Sequence, residues 1–226
     1  VRAAAEELRQ GGVVAIPTET VYGLAGAIDK PDAIAQIFAL KERPFFDPLI
    51  VHIADRSWLA GVARAVPAAA AALMDAYWPG PLTIVLPRHP DLNPMITSGL
   101  DTVGVRLPSH PVAQELLSMV GVPLAAPSAN KFGRTSPTEA KHVRAEWPSG
   151  TLTVLEGGAS EIGVESTVVR IVESPALVVE ILRPGGVSAE QIEAALGNAG
   201  FVAAVQRAQS EASPGHLLHH YMPAVP

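Results

Sequence analysis

Apolar positions recur along the chain with two alternating periods. Arg2 to Gln10 has an amphipathic helical pattern that stops at Gly11-Gly12 and gives way to Val13-Val14-Ala15-Ile16, a short apolar run of the kind buried in a sheet, ended by Pro17. Asp32 to Lys41 returns to the helical period, with Ile34, Ile37 and Phe38 as its stripe and Asp32 as the expected N-cap. Leu49 to Ile53 reads as a strand, Pro67 to Trp78 as an alanine-rich helix closed by Pro79-Gly80-Pro81, and Leu82 to Leu86 and Thr102 to Leu107 as strands. Val112 to Val120 and Thr138 to Trp147 continue as helices around a strand at Leu124 to Ala126. Strands follow at Leu152 to Leu155, Thr167 to Val172 and Leu177 to Leu182, with a last helix at Ser188 to Leu196. Strands that adjoin directly pair antiparallel, whereas helix-separated strands allow parallel crossovers, so the pattern predicts a mixed α/β sheet. Beyond about Gly200 it fades into a polar linker, Gln206 to Ser213, then Pro214-Gly215 and a His-rich tail. The expected division is therefore a domain over 1–200 and a tail over 201–226 that folds back or leads elsewhere.

Composition narrows the classes. At 226 residues the chain suffices for one large domain, and it is 48% hydrophobic and 17% charged, with no apolar run of the roughly 18 residues a membrane span requires. Absence of cysteine excludes disulfides, thiolate metal sites and thiol nucleophiles. The first segment lacks the apolar core of a signal peptide, which makes the cytoplasm the expected compartment. A net charge of −6 argues against a surface that holds nucleic acid chiefly by blanketing phosphates with Lys and Arg.

Candidate chemistry clusters where strands end, as α/β folds arrange it. Pro17-Thr18-Glu19-Thr20-Val21-Tyr22-Gly23-Leu24 crowds hydroxyls and one carboxylate into a turn, serving either a ligand or the turn's own backbone. Lys41 and Arg43, with the loop to Asp47-Pro48, could rim a triphosphate or simply decorate a helix C-terminus. His52 lies in an apolar strand, where a satisfied core histidine competes with a ligand. Arg106 ends a strand too apolar to face water; a buried arginine needs an anion, either an internal Asp or Glu or a substrate carboxylate. Pro127-Ser128-Ala129-Asn130 with Gly133 to Ser136 suits close approach of phosphate or ribose, or forms a bare turn; Glu165-Ser166-Thr167 opens a strand and Arg183-Pro184-Gly185 closes one. No P-loop, kinase signature or dinucleotide fingerprint is present, so any use of ATP is unconventional. No zinc spacing exists, His216, His219 and His220 make a weak metal case, and no protein-held metal is assigned.

Taken together, PTETVYGL, KERPFFDPLIVHI, VGVRLPSHP, PLAAPSANKFG, GVESTVVRI and LRPGG, in this order from Val13 to Gly186, resemble the threonylcarbamoyl-AMP synthase family with its YrdC-type domain. The tail from Ser213-Pro214-Gly215 through His219-His220-Tyr221-Met222-Pro223 is similar to the linker of the long family form, which implies a second domain beyond this sequence. The resemblance implies a twisted mixed parallel/antiparallel sheet with flanking helices around a deep, positively charged pocket. It further implies formation of threonylcarbamoyl-AMP and pyrophosphate from L-threonine, bicarbonate or CO2, and ATP with Mg2+, for a tRNA modification completed by a downstream transferase complex. A weak tRNA contact and no membrane partner are expected. Carried over by position, Thr20, His52, Arg106, Ala126 and Ser166 would bind threonine. Lys41, Arg43, Asp47, Thr102, Ser128, Ser136, Arg183 and Tyr221 would serve ATP, with Lys41 and Arg43 dominating catalysis. One departure is Ala25 where the family places a glycine after the leucine. The competing readings are a non-catalytic RNA-binding module of the same fold and a relative that handles carbamoyl-adenylate.

Overall fold

The computed structural model of the chain describes residues 1–42, 47–147, 150 and 152–208. In chain order the elements are α1 (Arg2–Arg9), β1 (Val14–Ile16), β2 (Gly23–Ala27), α2 (Pro31–Lys41), β3 (Ile50–His52), a 3₁₀ turn (Arg56–Gly61), α3 (Ala68–Tyr77), β4 (Leu82–Pro87), β5 (Thr102–Arg106), α4 (Pro111–Val120), β6 (Leu124–Ala125), α5 (Ala140–Glu146), β7 (Thr153–Val154), β8 (Thr167–Val172), β9 (Val178–Arg183), α6 (Ala189–Asn198) and β10 (Ala204–Arg207). The strands form one mixed sheet in the order β10-β9-β8-β4-β5-β3-β6-β2-β1-β7. Directly adjoining β8 and β9 pair antiparallel, while β3–β5, β4–β8 and β1–β7 are parallel.

Three local expectations change. Asp32 is not the N-cap of α2: Lys30 holds that position, because Pro31, whose fixed φ and missing N–H suit the first helical residue, starts the helix. Asp32 lies in the first turn, where its charge favours the helix dipole. The second change is β2, whose sequence GLAGA carries little strand propensity. It is a strand because neighbours on both sides bury it: Ala25 packs with Leu8, Leu116 and Leu117 of α1 and α4, and a Cβ on Gly26 would lie 3.0 Å from Ile37 and 3.2 Å from Ala33 of α2. Ala25 thus occupies a strand rather than a turn. Third, the sheet continues past Gly200, since β10 pairs parallel with β9 and Phe201, Ala203 and Val205 pack on the core.

The main core lies where α2, α3 and α6 cover one part of the sheet, with Phe38, Leu73, Met74 and Ile192 at or below 2% exposure. α1 and α4 close a second apolar layer over Val14, Ile16 and Leu124. Among the described residues no helix is long and apolar enough to cross a membrane.

Candidate active site

Register brings the predicted residues together. His52 and Arg106 end the parallel strands β3 and β5 and are register partners, so both side chains leave the same face of the sheet, two pairs beyond Ile50 and Gly104. β4 runs antiparallel to β5 and parallel to β8, which carries Ser166, just before β8, to the same end. β9 returns antiparallel and delivers Arg183, its last residue. β6 lies antiparallel to β3, placing Ala126 beside Ile50 through an N–H···O bond of 3.0 Å, with Ser128 farther along. The Thr18–Gly23 segment completes the pocket, which Thr20, His52, Arg106, Ala126, Ser128, Ser166 and Arg183 all line.

Arg106, 4% exposed, is held at all three guanidinium nitrogens. Nε donates to the Gly80 carbonyl at 3.2 Å, Nη1 donates to Thr20 Oγ1 at 2.8 Å, and Nη2 lies 2.7 Å from Glu19 Oε1. The internal anion is therefore Glu19, itself 4% exposed. Thr18 Oγ1 gives its hydrogen to the Val21 carbonyl, so in the 2.9 Å Thr18–Thr20 contact the Thr20 hydroxyl is the donor, and toward Arg106 it is the acceptor. Burial raises the Glu19 pKa, but Arg106 and the amides of Glu19 and Ser109 outweigh it and hold the carboxyl below its ordinary value. Burial, reinforced by the neighbouring Arg106 charge, pulls the His52 pKa down to about 3. His52 is therefore neutral at physiological pH. Its Nδ1 lies 3.4 Å from the Ile50 carbonyl, which can only accept, so Nδ1 carries the proton and Nε2 is an acceptor.

A second ion pair stands across the pocket. Arg183 pairs with Glu165 Oε2 and donates to the Ser166 backbone carbonyl and to Ser166 Oγ at 3.0 Å; Ser166 Oγ in turn meets Thr83 Oγ1 at 2.8 Å. The other Glu165 oxygen accepts from Ser136 Oγ at 2.8 Å, which ties the Ser136 loop to Arg183. Gly185 makes this possible, because a Cβ there would fall 2.2 Å from the Glu165 carbonyl oxygen. Each of the two arginines that line the described pocket has a carboxylate partner.

Lys41 is buried to 1% exposure, and its ammonium donates to the carbonyls of Ser128 at 2.5 Å and Asn130 at 2.6 Å. It holds the Ser128 loop against α2 and is not a solvated helix-end cation. Asp47 is buried at 5% exposure beside pocket-lining Pro48. Thr102 is not brought into the described pocket lining; it shares the Arg106 face of β5, four residues and roughly 13 Å away. Arg43 and Tyr221, and with them His216, His219 and His220, lie outside the described residues.

A family model described as "Telomere recombination", covering Sua5, YciO and YrdC proteins, matches residues 6–185. The chain belongs to the Sua5/YciO/YrdC family. Within it, the threonylcarbamoyl-AMP synthase of Bacillus subtilis strain 168 is 44% identical over 99% of this chain and that of Pyrococcus abyssi 43% identical over 99%. The chain spans 64% and 66% of those two relatives' lengths. The crystal structure of P. abyssi Sua5 complexed with L-threonine superposes with a TM-score of 0.89 at 41% identity, covering 98% of this chain and 65% of that one.

For this Sua5/YciO/YrdC protein, reading motifs by ligand type passed over two residues, Glu19 and Glu165. Both stand inside quoted motifs, and the signal for them was the rule that a buried arginine requires an anion. Which carboxylate meets which arginine depends on strand register, since 87 positions separate Glu19 from Arg106.

Proposed function

We propose that the chain forms threonylcarbamoyl-AMP and pyrophosphate from L-threonine, bicarbonate or CO2, and ATP, supplying the activated intermediate to a tRNA-modifying transferase. The observation that carries this reading is Arg106, a buried cation held by Gly80, Thr20 and Glu19 in a pocket shared with Thr20, His52 and Ser166, where its guanidinium can take a carboxylate. Its likeness to a protein whose structure was solved with L-threonine supports the same substrate here. Threonine's carboxylate would sit on Arg106, and the neutral His52 would offer Nε2 to a donor of the substrate without adding charge. The threonine amine adds to CO2 to give a carbamate; a carbamate oxygen then attacks the α-phosphate of ATP, and pyrophosphate leaves. No protein nucleophile is required, so positioning and charge neutralisation carry the step. Arg183 is the described cation suited to the phosphates, and Lys41 contributes by fixing the Ser128 loop.

Mg2+ would arrive on the triphosphate as part of the substrate. Among the described residues no three His, Asp or Glu side chains group as metal ligands, and Glu19 and Glu165 are each engaged by an arginine. Exposed basic side chains on the nearby surface mostly face carboxylates, as in Lys131–Glu42, Arg134–Glu146 and Arg144–Glu156, which tells against an RNA-coating surface. Pyrophosphate release, measured with threonine and bicarbonate omitted in turn, tests the reading. Release that requires both is the expected result; binding of RNA with no release from ATP would replace it with the non-catalytic reading.

A further inference from the structure

We propose that Glu19 is a positioning residue, the resident counter-ion of the substrate-carboxylate site, which keeps the Arg106 guanidinium aimed into the pocket and sets how tightly it takes a second carboxylate. This rests on the reading that Arg106 binds the threonine carboxylate. Two consecutive residues of one turn bracket the guanidinium, Glu19 at Nη2 and Thr20 at Nη1, while the Gly80 carbonyl takes Nε. Arg106 and Thr20 line the pocket, whereas Glu19, both of whose carboxylate oxygens are buried, does not. Among the described residues each is the other's one ion-pair partner. A buried ion pair contributes little stability over an apolar pair of the same shape, so stability alone gives no reason for a carboxylate here. Without it, however, the ligand-free protein would bury an uncompensated cation, free to swing toward any acceptor. With it, the guanidinium is held, and an incoming carboxylate must share it with an anion already in place. That sharing weakens the grip on threonine and favours release of the bulky anionic product.

The test is the threonine dissociation constant of the full chain, by calorimetry, for wild type, Glu19→Gln, Glu19→Asp, Glu19→Asn and Arg106→Ala, with ATP affinity measured alongside. Glu19→Gln keeps the volume and an acceptor oxygen but removes the charge. It should bind threonine more tightly by about tenfold or more, the repulsion between two carboxylates that share one guanidinium at an effective dielectric of about 20 being offset only in part by the attraction of Glu19 for the threonine ammonium. Its melting temperature should fall and its ATP affinity stay within about twofold, under the ratio at which such a charge effect is resolved. Equal or weaker threonine binding by folded Glu19→Gln overturns the proposal, as a merely structural residue would give. If Glu19→Gln does not fold, the matched pair Glu19→Asn and Glu19→Asp decides: tighter binding by Asn supports the proposal, and equal or weaker binding overturns it. Retention of threonine binding by Arg106→Ala would instead remove the underlying reading. Loss of binding there, with no difference within the size-matched pairs, removes the proposal alone.

Discussion

His52 shows how a single residue ties the site to stability. Folded, it stays neutral down to about pH 3, whereas an unfolded imidazole takes its proton near 6.5. Between those values the unfolded chain binds more protons, so stability is full above pH 6.5 and falls as pH drops below it. From pH 7 to 5 this histidine should remove on the order of 2 kcal/mol of unfolding free energy, a loss that urea titrations of His52→Asn should not show. An identical slope in wild type and variant would mean that His52 takes its proton at the same pH in the folded and unfolded chains. Glu19 does not confuse that window: its lowered folded pKa adds stability that is present above about 4.5 and lost only below it. Arg106 and His52 were both legible in the sequence as polar residues stranded in apolar strands. What they pair with was not, because a carboxylate in a turn shows no preference for one arginine over another until the chain folds.

At the scale of elements, the join between α2 and the Ser128 loop is decisive. Lys41 ends α2, and its ammonium satisfies two carbonyls of a loop almost ninety residues away, while its own carbonyl accepts from Phe132 N–H at 2.8 Å. Lys41→Met keeps the stem and leaves both carbonyls without that donor, a loss of about 1–3 kcal/mol for each group not reached by water. Thermal unfolding should show that loss, and calorimetry should show weaker ATP binding with threonine affinity nearly unchanged. A variant with wild-type stability and ATP affinity would show that the loop is held by other contacts. The helical period exposed α2 readily, since Ile34, Ile37 and Phe38 all fall on its buried side. β2 escaped the same reading: glycine and alanine carry no period, and only the helices packed on each face make GLAGA a strand.

For the whole molecule, the placement of β10 at the edge beside β9 links the C-terminal part of the domain to the pocket through Arg183. Compared with a chain ending at residue 208, one ending at 200 loses four register pairs with β9 and the packing of Phe201, Ala203 and Val205. The shorter chain should be less stable by on the order of 3 kcal/mol, read from denaturant midpoints. Coincident unfolding of the two chains would place β10 outside the cooperative unit. By itself the sequence determined the alternation of elements, the mixed sheet and the family, because hydrophobic period, turn residues and ordered motifs are local properties that survive in a linear string. The tertiary structure alone decided that β3 and β5 lie side by side in register, that Glu19 and Glu165 each neutralise an arginine, and that Lys41 points inward to a loop. Those outcomes depend on strand order and on which distant groups share one desolvated volume, where an unpaired charge is too costly to persist.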